Sequence, residues 1–167
     1  MQVILMAVGD DRPGLASALA DAVVGARGNW LESHFARLGG KFVGSVLVEL
    51  PDDRVGDLAE AVAAMEATGF HVTLTTSQDD ARPGGRVLTF ELVGADRPGI
   101  VREVSAALAA LGVNIDELES ETETGAMSAE RLFRARARVQ VPDGTPTAQV
   151  RQALERISGE IMVDFAD

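Results

Sequence analysis

The chain repeats itself, and this internal duplication constrains its fold more than any other feature of the sequence. The segment GDDRPGL at Gly9–Leu15 recurs as GADRPGI at Gly94–Ile100, an offset of 85 residues. The same offset relates Asn29 to Asn114. Further along the chain the offset grows to 91, which places about six inserted residues in the second copy, near Thr124–Arg131. A repeat of this length indicates two copies of one folding unit.

Each copy is long enough to form a small domain. A chain of 167 residues suits two domains of about 80 residues each. Between the copies, the stretch QDDARPG at residues 78–84 is polar and contains proline and glycine, as linkers do. The sequence therefore predicts domain 1 at residues 1–77, a linker at 78–84 and domain 2 at 85–167.

The hydrophobic pattern changes between strand and helix in the same order in both copies. The apolar run Val3–Val8 predicts a central strand covered on both faces. A helical stripe follows in each copy, beginning at Leu15 and at Ile100. The order strand, helix, strand, strand, helix, strand predicts the α+β class: two ferredoxin-like βαββαβ domains in tandem, with antiparallel sheets and helices on one face.

Two helices cover only one face of each sheet, and the copies differ in what they place on the other face. In the second copy, alternating acidic and basic side chains predict two rows that face one another across a hairpin. These rows are Glu117, Glu119, Glu121 and Glu123 on one strand, and Arg134, Arg136 and Arg138 on the next. A solvated charged face and a partner-binding face are both compatible with this pattern.

In the first copy the open face is predicted to be apolar. The pattern places Trp30, His34, Val43 and Leu47 there, together with Ser45. An exposed patch that contains Trp, Val and Leu favours burial against another sheet or subunit. These residues are therefore predicted to form a protein interface. The alternative is that the second domain or the linker covers this face.

The candidate binding feature is the Asp-Arg-Pro-Gly turn that precedes the first helix of each copy. Proline presets the helical φ at a position whose amide needs no partner, and Gly14 and Gly99 let a ligand approach the backbone. Free amides at a helix start suit a carboxylate, and an asparagine offers both a donor and an acceptor. Alternatively, Asp11 and Asp96 cap their helices.

These residues resemble a known family. The segment DRPGIVREVSAALAALGVNI, Asp96–Ile115, closely resembles the signature of ACT domains, which sense small molecules in amino-acid metabolism. DRPGLASALADAVVGARGNW, Asp11–Trp30, is a looser match. Two such copies without an attached catalytic domain resemble the glycine cleavage system transcriptional repressor family.

The resemblance implies a ligand site where two ACT domains meet, formed by the turn and by the asparagine that opens the second strand. The residues implied are Asp11, Arg12, Pro13, Gly14, Leu15 and Asn29 in the first copy, and Asp96, Arg97, Pro98, Gly99, Ile100 and Asn114 in the second. Serine-sensing members carry asparagine where this chain has Asp11 and Asp96. A carboxylate there accepts only the ammonium group of a ligand.

The resemblance also implies a regulatory function. A small amino acid would bind at ACT interfaces of a homo-oligomer, such as a dimer, and change the affinity for a protein partner, either a transcription regulator or a metabolic enzyme. The alternative is an adaptor or regulatory subunit of an amino-acid metabolic enzyme that senses nothing itself.

Composition argues against several other classes of function. The net charge of −11 opposes direct binding to nucleic acid, and a ferredoxin-like sheet without stacked aromatics is poorly suited to RNA. The chain has no cysteine and only two histidines, His34 and His71, on separate predicted strands. We therefore expect no enzyme activity, no metal site and no cofactor.

No apolar run approaches the ~20 residues of a membrane span and no signal-peptide pattern opens the chain, so a cytoplasmic protein without membrane contact is expected.

Overall fold

The computed structural model describes residues 1–77, 84–124 and 130–166 of the chain. It forms two compact units, residues 1–80 and 81–167. The predicted linker at 78–84 lies outside the described residues except for Gly84, and the predicted insertion near Thr124–Arg131 lies outside them at residues 125–129.

Both units have the predicted order of helices and strands. The first contains β1 (Gln2–Asp10), α1 (Leu15–Gly25), β2 (Asn29–Leu38), β3 (Lys41–Glu49), α2 (Val55–Ala64) and β4 (Phe70–Thr76). The second contains β5 (Arg86–Ala95), α3 (Ile100–Ala109), β6 (Asn114–Thr124), β7 (Arg131–Val141), α4 (Thr147–Glu155) and β8 (Met162–Phe165). The sheet orders are β2-β3-β1-β4 and β6-β7-β5-β8, with every paired strand antiparallel. The predicted ferredoxin-like α+β class is confirmed.

The core of the first unit lies between one face of the sheet and its two helices. On β1 the side chains of Val3, Leu5 and Ala7 are buried with those of the helices, whereas Met6 and Val8 are 47% and 40% exposed. The prediction that Val3–Val8 is a strand covered on both faces was therefore wrong. Both helices lie on one side of the sheet, so only alternate residues of the strand are buried.

Trp30 does not lie on the open face as predicted. A β-bulge between Trp30 and Glu32 shifts the register, so that Trp30 pairs with Val48, whose side chain is buried, and packs at the edge of the core. Beyond the bulge the alternation is restored, and His34 pairs with Ser45 on the open face. One extra residue at the bulge reverses the face on which a side chain lies.

An aromatic cluster extends the core of the first unit towards its edge strand. The ring of Phe35 lies 4.8 Å from that of Phe42 and 6.0 Å from that of Trp30, centroid to centroid. Phe35 covers Gly44 on the neighbouring strand, and a Cβ on Gly44 would clash with its ring and with the carbonyl oxygen of His34. The absence of a side chain at Gly44 therefore makes room for the aromatic cluster.

We predict that Gly44→Ala destabilises the first unit by about 1–3 kcal/mol, because the added methyl group overpacks this contact. Urea denaturation followed through the fluorescence of Trp30, the single tryptophan of the chain, measures the loss. Ser45→Ala, on the opposite face of the same strand, is the control and should change stability little. Equal stability of the two variants would contradict the packing described.

Candidate functional site

The two Asp-Arg-Pro-Gly turns occupy equivalent positions, and neither aspartate caps its helix. Gly14 and Gly99 precede the first helical residues with φ of 95° and 91°, and neither helix has a side-chain cap. Asp11 Oδ2 lies 3.0 Å from Arg37 Nε, and Asp96 Oδ2 lies 3.5 Å from Arg131 Nε. The capping alternative is therefore wrong. The aspartates pair with arginines of β2 and β7 and leave the first helical amides without a carboxylate cap.

The first turn borders an open cavity. About 410 Å³ of space lies against residues 11–16 and Phe42. A Cβ built on Gly14 would meet no atom within 4 Å. Arg12 Nη2 donates a hydrogen bond of 2.9 Å to the carbonyl oxygen of Thr68, which fastens the turn to the loop before β4. The space over the start of α1 is thus accessible from solvent.

The second turn has a different arrangement, because its arginine is bound to a carboxylate. Arg97 Nη1 and Nη2 donate to Glu103 Oε1 and Oε2 at 2.8 and 2.5 Å. A Cβ on Gly99 would lie 3.8 Å from Glu103 Oε1. The glutamate side chain therefore reaches back over the helix start. An adjacent cavity of about 560 Å³ is lined by Ala95, Arg97, Ile100 and residues 158–161.

The two turns differ in electrostatics as a result. Among the described residues, Arg12 forms no ion pair, whereas the neighbouring Asp10 pairs with Lys41 and Asp11 with Arg37. The charge of Arg12 therefore has no direct carboxylate contact in the described part of the chain, although it helps Lys41 to lower the pKa of Asp10. In the second turn both Asp96 and Arg97 have partners of opposite charge. The hydrogen bond from Arg97 lowers the pKa of Glu103 and raises that of Arg97.

The predicted asparagines do not join the turns of their own units. Asn29 pairs with Glu49 at one end of β3, while Asp10 pairs with Lys41 at the other end. Eight residue steps of strand separate these two rows, or about 27 Å. Asn114 likewise pairs with Gln140, far from the turn that follows Ala95, and its Nδ2 donates to Asp116 Oδ1 at 3.1 Å. Each unit therefore carries a turn and an asparagine at opposite ends of its sheet.

Asn29 instead borders a shallow apolar groove between α1 and the edge strand. The groove has a volume of about 590 Å³ and is lined by small side chains of α1 together with Gly28, Asn29 and Trp30. Trp30 thus contributes to this groove and to the core edge.

The open faces of the two sheets have equivalent strand pairing, but they carry different types of side chain. As predicted, Glu117, Glu119 and Glu121 stand opposite Arg138, Arg136 and Arg134. The arginines of β7 also reach other carboxylates: Arg134 Nη2 lies 2.9 Å from Glu123 and Arg136 Nη2 lies 2.6 Å from Glu91. Arg138 Nε lies 3.2 Å from Glu117 in an ion pair without hydrogen-bond geometry. The prediction of facing charged rows is confirmed.

The first unit has apolar residues where the second has ions. Its β3 places Val43, Ser45 and Leu47 at the positions taken by the three arginines of β7, and Met6 takes the position of Glu91. Around them lie Ile4, Val8, Ala36 and Leu38. Neither open face carries a phenylalanine or tryptophan in the described residues.

Glu103 is the main site residue that sequence reasoning missed. It stands four residues after Gly99, in the first turn of its helix, where the first copy has Ala18. That difference is visible when the two copies are aligned. The long-range partners of the turns, Thr68, Arg37 and Arg131, are harder to see in the sequence, because only the tertiary fold brings them to the turns.

Comparison with known proteins agrees with this architecture. Residues 1–73 and residues 89–159 each match a family described as the ACT domain. The chain belongs to the ACT domain family. No curated protein matches it.

Two solved structures resemble the whole tandem ACT-domain chain. A protein of unknown function from Galdieria sulphuraria is 29% identical, with a TM-score of 0.79 and coverage of 98% of this chain and 96% of that one. A provisionally named glycine cleavage system transcriptional repressor is 16% identical, with a TM-score of 0.73 and coverage of 99% and 97%. The second likeness shows the fold alone. Both proteins match this chain over almost their whole length, so they share its two-domain length.

Membership of the ACT domain family supports a regulatory role that involves a small amino acid and argues against catalysis. Within residues 1–77, 84–124 and 130–166, no group of three His, Asp or Glu side chains is placed to hold a metal ion. None of the helices in the same ranges is long and apolar enough to cross a membrane.

The Arg97–Glu103 pair makes a testable prediction about pH. We expect an NMR titration of the Glu103 carboxyl to give a pKa below the ordinary glutamate range, and Arg97→Ala to raise it. Because the folded-state pKa is lowered, the pair stabilises the second ACT domain at neutral pH, and this contribution is lost as pH falls through the lowered pKa. Arg102→Gln is the control, since Arg102 is the weakest cause of the shift. If Arg97→Ala and Arg102→Gln changed the pKa of Glu103 equally, the Arg97–Glu103 pair would be contradicted.

Proposed function

We propose that this tandem ACT-domain protein is an amino-acid-responsive regulator that acts through a separate protein partner. The proposal is supported above all by the open cavity at the start of α1, beside which Arg12 forms no ion pair among the described residues. Its helical amides, the dipole of the helix and the charge of Arg12 all favour a carboxylate. A transcription regulator or a metabolic enzyme would be the partner, because the chain is strongly acidic and is itself poorly suited to nucleic acid.

The ligand of this regulator would be a small α-amino acid, with glycine the first to test. The turn supplies groups for the carboxylate, and an asparagine supplies both donor and acceptor for the remaining polar groups. Since Asn29 and Asn114 lie about 27 Å from the turns of their own units along the strand direction, we propose that a second copy of the chain supplies the asparagine. Each turn is then half of a site.

Calorimetry against the twenty amino acids should reveal binding of at least one small amino acid. A ligand with the five non-hydrogen atoms of glycine gains at best about −1.5 kcal/mol per atom, which corresponds to a Kd no tighter than about 3 µM. The titration therefore needs protein well above this concentration. Absence of heat with all twenty amino acids would refute the sensing role.

A mixing experiment tests whether the site is shared between copies. One variant carries Gly14→Asn and Gly99→Asn, which place side chains over the turns with a residue that tolerates positive φ. The other carries Asn29→Ala and Asn114→Ala. We expect each variant alone to lose binding and a mixture to recover part of it, because mixed oligomers contain intact turns opposite intact asparagines. No recovery, with the wild type still binding, would place the whole site in one chain.

The apolar open face of the first ACT domain is proposed as the contact between copies. His34, Val43 and Leu47 lie on this face, while Trp30 belongs to the core edge. Exposed apolar side chains at the centre of a sheet favour burial in an oligomer. The centre of the second domain's open face instead carries Glu91 and the three arginines of β7.

We predict that the pair of substitutions Met6→Glu and Val43→Arg weakens self-association at least tenfold in sedimentation velocity. Both changes copy residues that the second domain carries at the same positions, Glu91 and Arg134, so the fold should tolerate them. Val101→Arg, an exposed helix position, is the control for added charge. A wild-type chain that sediments as a monomer, or a variant that associates normally, would refute this interface.

The alternative function is an adaptor that does not sense an amino acid. One observation favours it for the second domain: the Glu103 carboxylate already lies over the helix start at Gly99. Recovery of a biosynthetic enzyme by the purified chain, unchanged by any amino acid, would support the adaptor over the sensor.

A further inference from the structure

The two turns differ at one residue that bears directly on carboxylate binding. Glu103 and Ala18 hold the same place, four residues after Gly99 and Gly14, and their backbone amides donate to those glycines' carbonyl oxygens at 3.0 and 2.9 Å. Glu103 binds both terminal nitrogens of Arg97. Ala18 has nothing with which to bind Arg12, which donates to a backbone carbonyl instead.

The position of the Glu103 carboxylate matches what a ligand carboxylate would need. It neutralises the arginine of the turn and lies 3.8 Å from where a Cβ on Gly99 would be. The absence of a side chain at Gly99 is what leaves the helix start open to a ligand. In the first domain the same volume over Gly14 holds no atom within 4 Å.

We propose that Glu103 is an intramolecular competitor for the carboxylate of the ligand at the second turn. The first turn then takes up ligand at lower concentration, and the second does so only when the ligand displaces Glu103 from Arg97. This inference rests on the proposed function, in which the turns hold a small amino acid. The two ACT domains would then respond to different concentrations of the same ligand, although their folds are the same.

The strength of the competition follows from the type of bond. Two parallel hydrogen bonds between guanidinium and carboxylate are among the stronger polar contacts of proteins. Both side chains are partly exposed, at 38% and 42%, so solvent weakens the pair. The ligand's carboxylate gains the same contacts that Glu103 gives up, and the net effect on affinity should be modest, roughly three- to fivefold.

Two reciprocal substitutions test the proposal in the full-length chain. Glu103→Gln removes the competing charge from the second turn, and Ala18→Glu introduces it into the first. Glu119→Gln, on the open sheet face, removes one charge elsewhere and is the control. Glycine, acetate and methylamine serve as probes, followed by the amide shifts of Leu15 and Ile100 in ¹H–¹⁵N spectra. Acetate reports carboxylate capture without the ammonium group, and methylamine reports the reverse.

We expect acetate and glycine to shift Leu15 at lower concentration than Ile100 in the wild type. Glu103→Gln should lower the concentration needed at Ile100 roughly three- to fivefold, Ala18→Glu should raise it at Leu15 by a similar factor, and Glu119→Gln should change neither. Methylamine has no carboxylate. The concentration of methylamine needed to shift Leu15 or Ile100 should therefore not change as it does for acetate and glycine.

The outcomes separate this inference from the proposed function. If glycine binds but neither reciprocal variant changes its affinity, the competitor role is wrong and the sensing role stands. If acetate responds to both variants but no amino acid binds, Glu103 competes with carboxylates at Arg97, but the sensing role falls and with it the graded response to an amino acid. If no probe shifts either amide in any variant, both are refuted. Because the two variants lie in different domains, misfolding of one leaves the other to decide.

Discussion

Burial of one face of each sheet against two helices is the constraint on which the rest of this protein depends. Alternate side chains of β1 and β5, such as Leu5 and Leu92, are fully buried beneath the helices, and this requirement holds both copies to the same pattern. The opposite face carries no such requirement. It has become apolar around Val43 in the first domain and ionic around Arg134 in the second. The difference between the copies therefore lies where the core does not demand a particular side chain.

The same architecture separates the two halves of the predicted binding site. In an antiparallel sheet of this topology, the turn after β1 and the start of β2 lie at opposite ends, since a helix returns the chain across the sheet before β2 begins. Asp11 and Asn29 are therefore kept apart within one domain by the length of β3. If the site uses both residues, as we propose, a second copy of the chain must supply one of them, and ligand binding would then be linked to assembly.

Small local differences then adjust each turn. Both turns share their glycine conformation and their uncapped helix start, yet Arg12 bonds a carbonyl at Thr68 and Arg97 bonds the carboxylate of Glu103. The arginine of the second turn thus gains a carboxylate partner through this one residue. On our proposal, the duplicated domains have in this way acquired two binding thresholds without a change of fold.

The sequence by itself determined the duplication, the order of helices and strands, the α+β class and the facing rows of Glu117–Glu121 and Arg134–Arg138. These features follow from periodicity, which depends only on neighbours along the chain. The tertiary structure alone decided on which face Trp30 lies, because a bulge at Leu31 shifts the alternation by one residue. It alone decided that Asp11 pairs with Arg37 and not with its helix, and that Asn29 lies far from the turn. Contacts of this kind are set by strand order and register, which bring together residues that no local pattern connects.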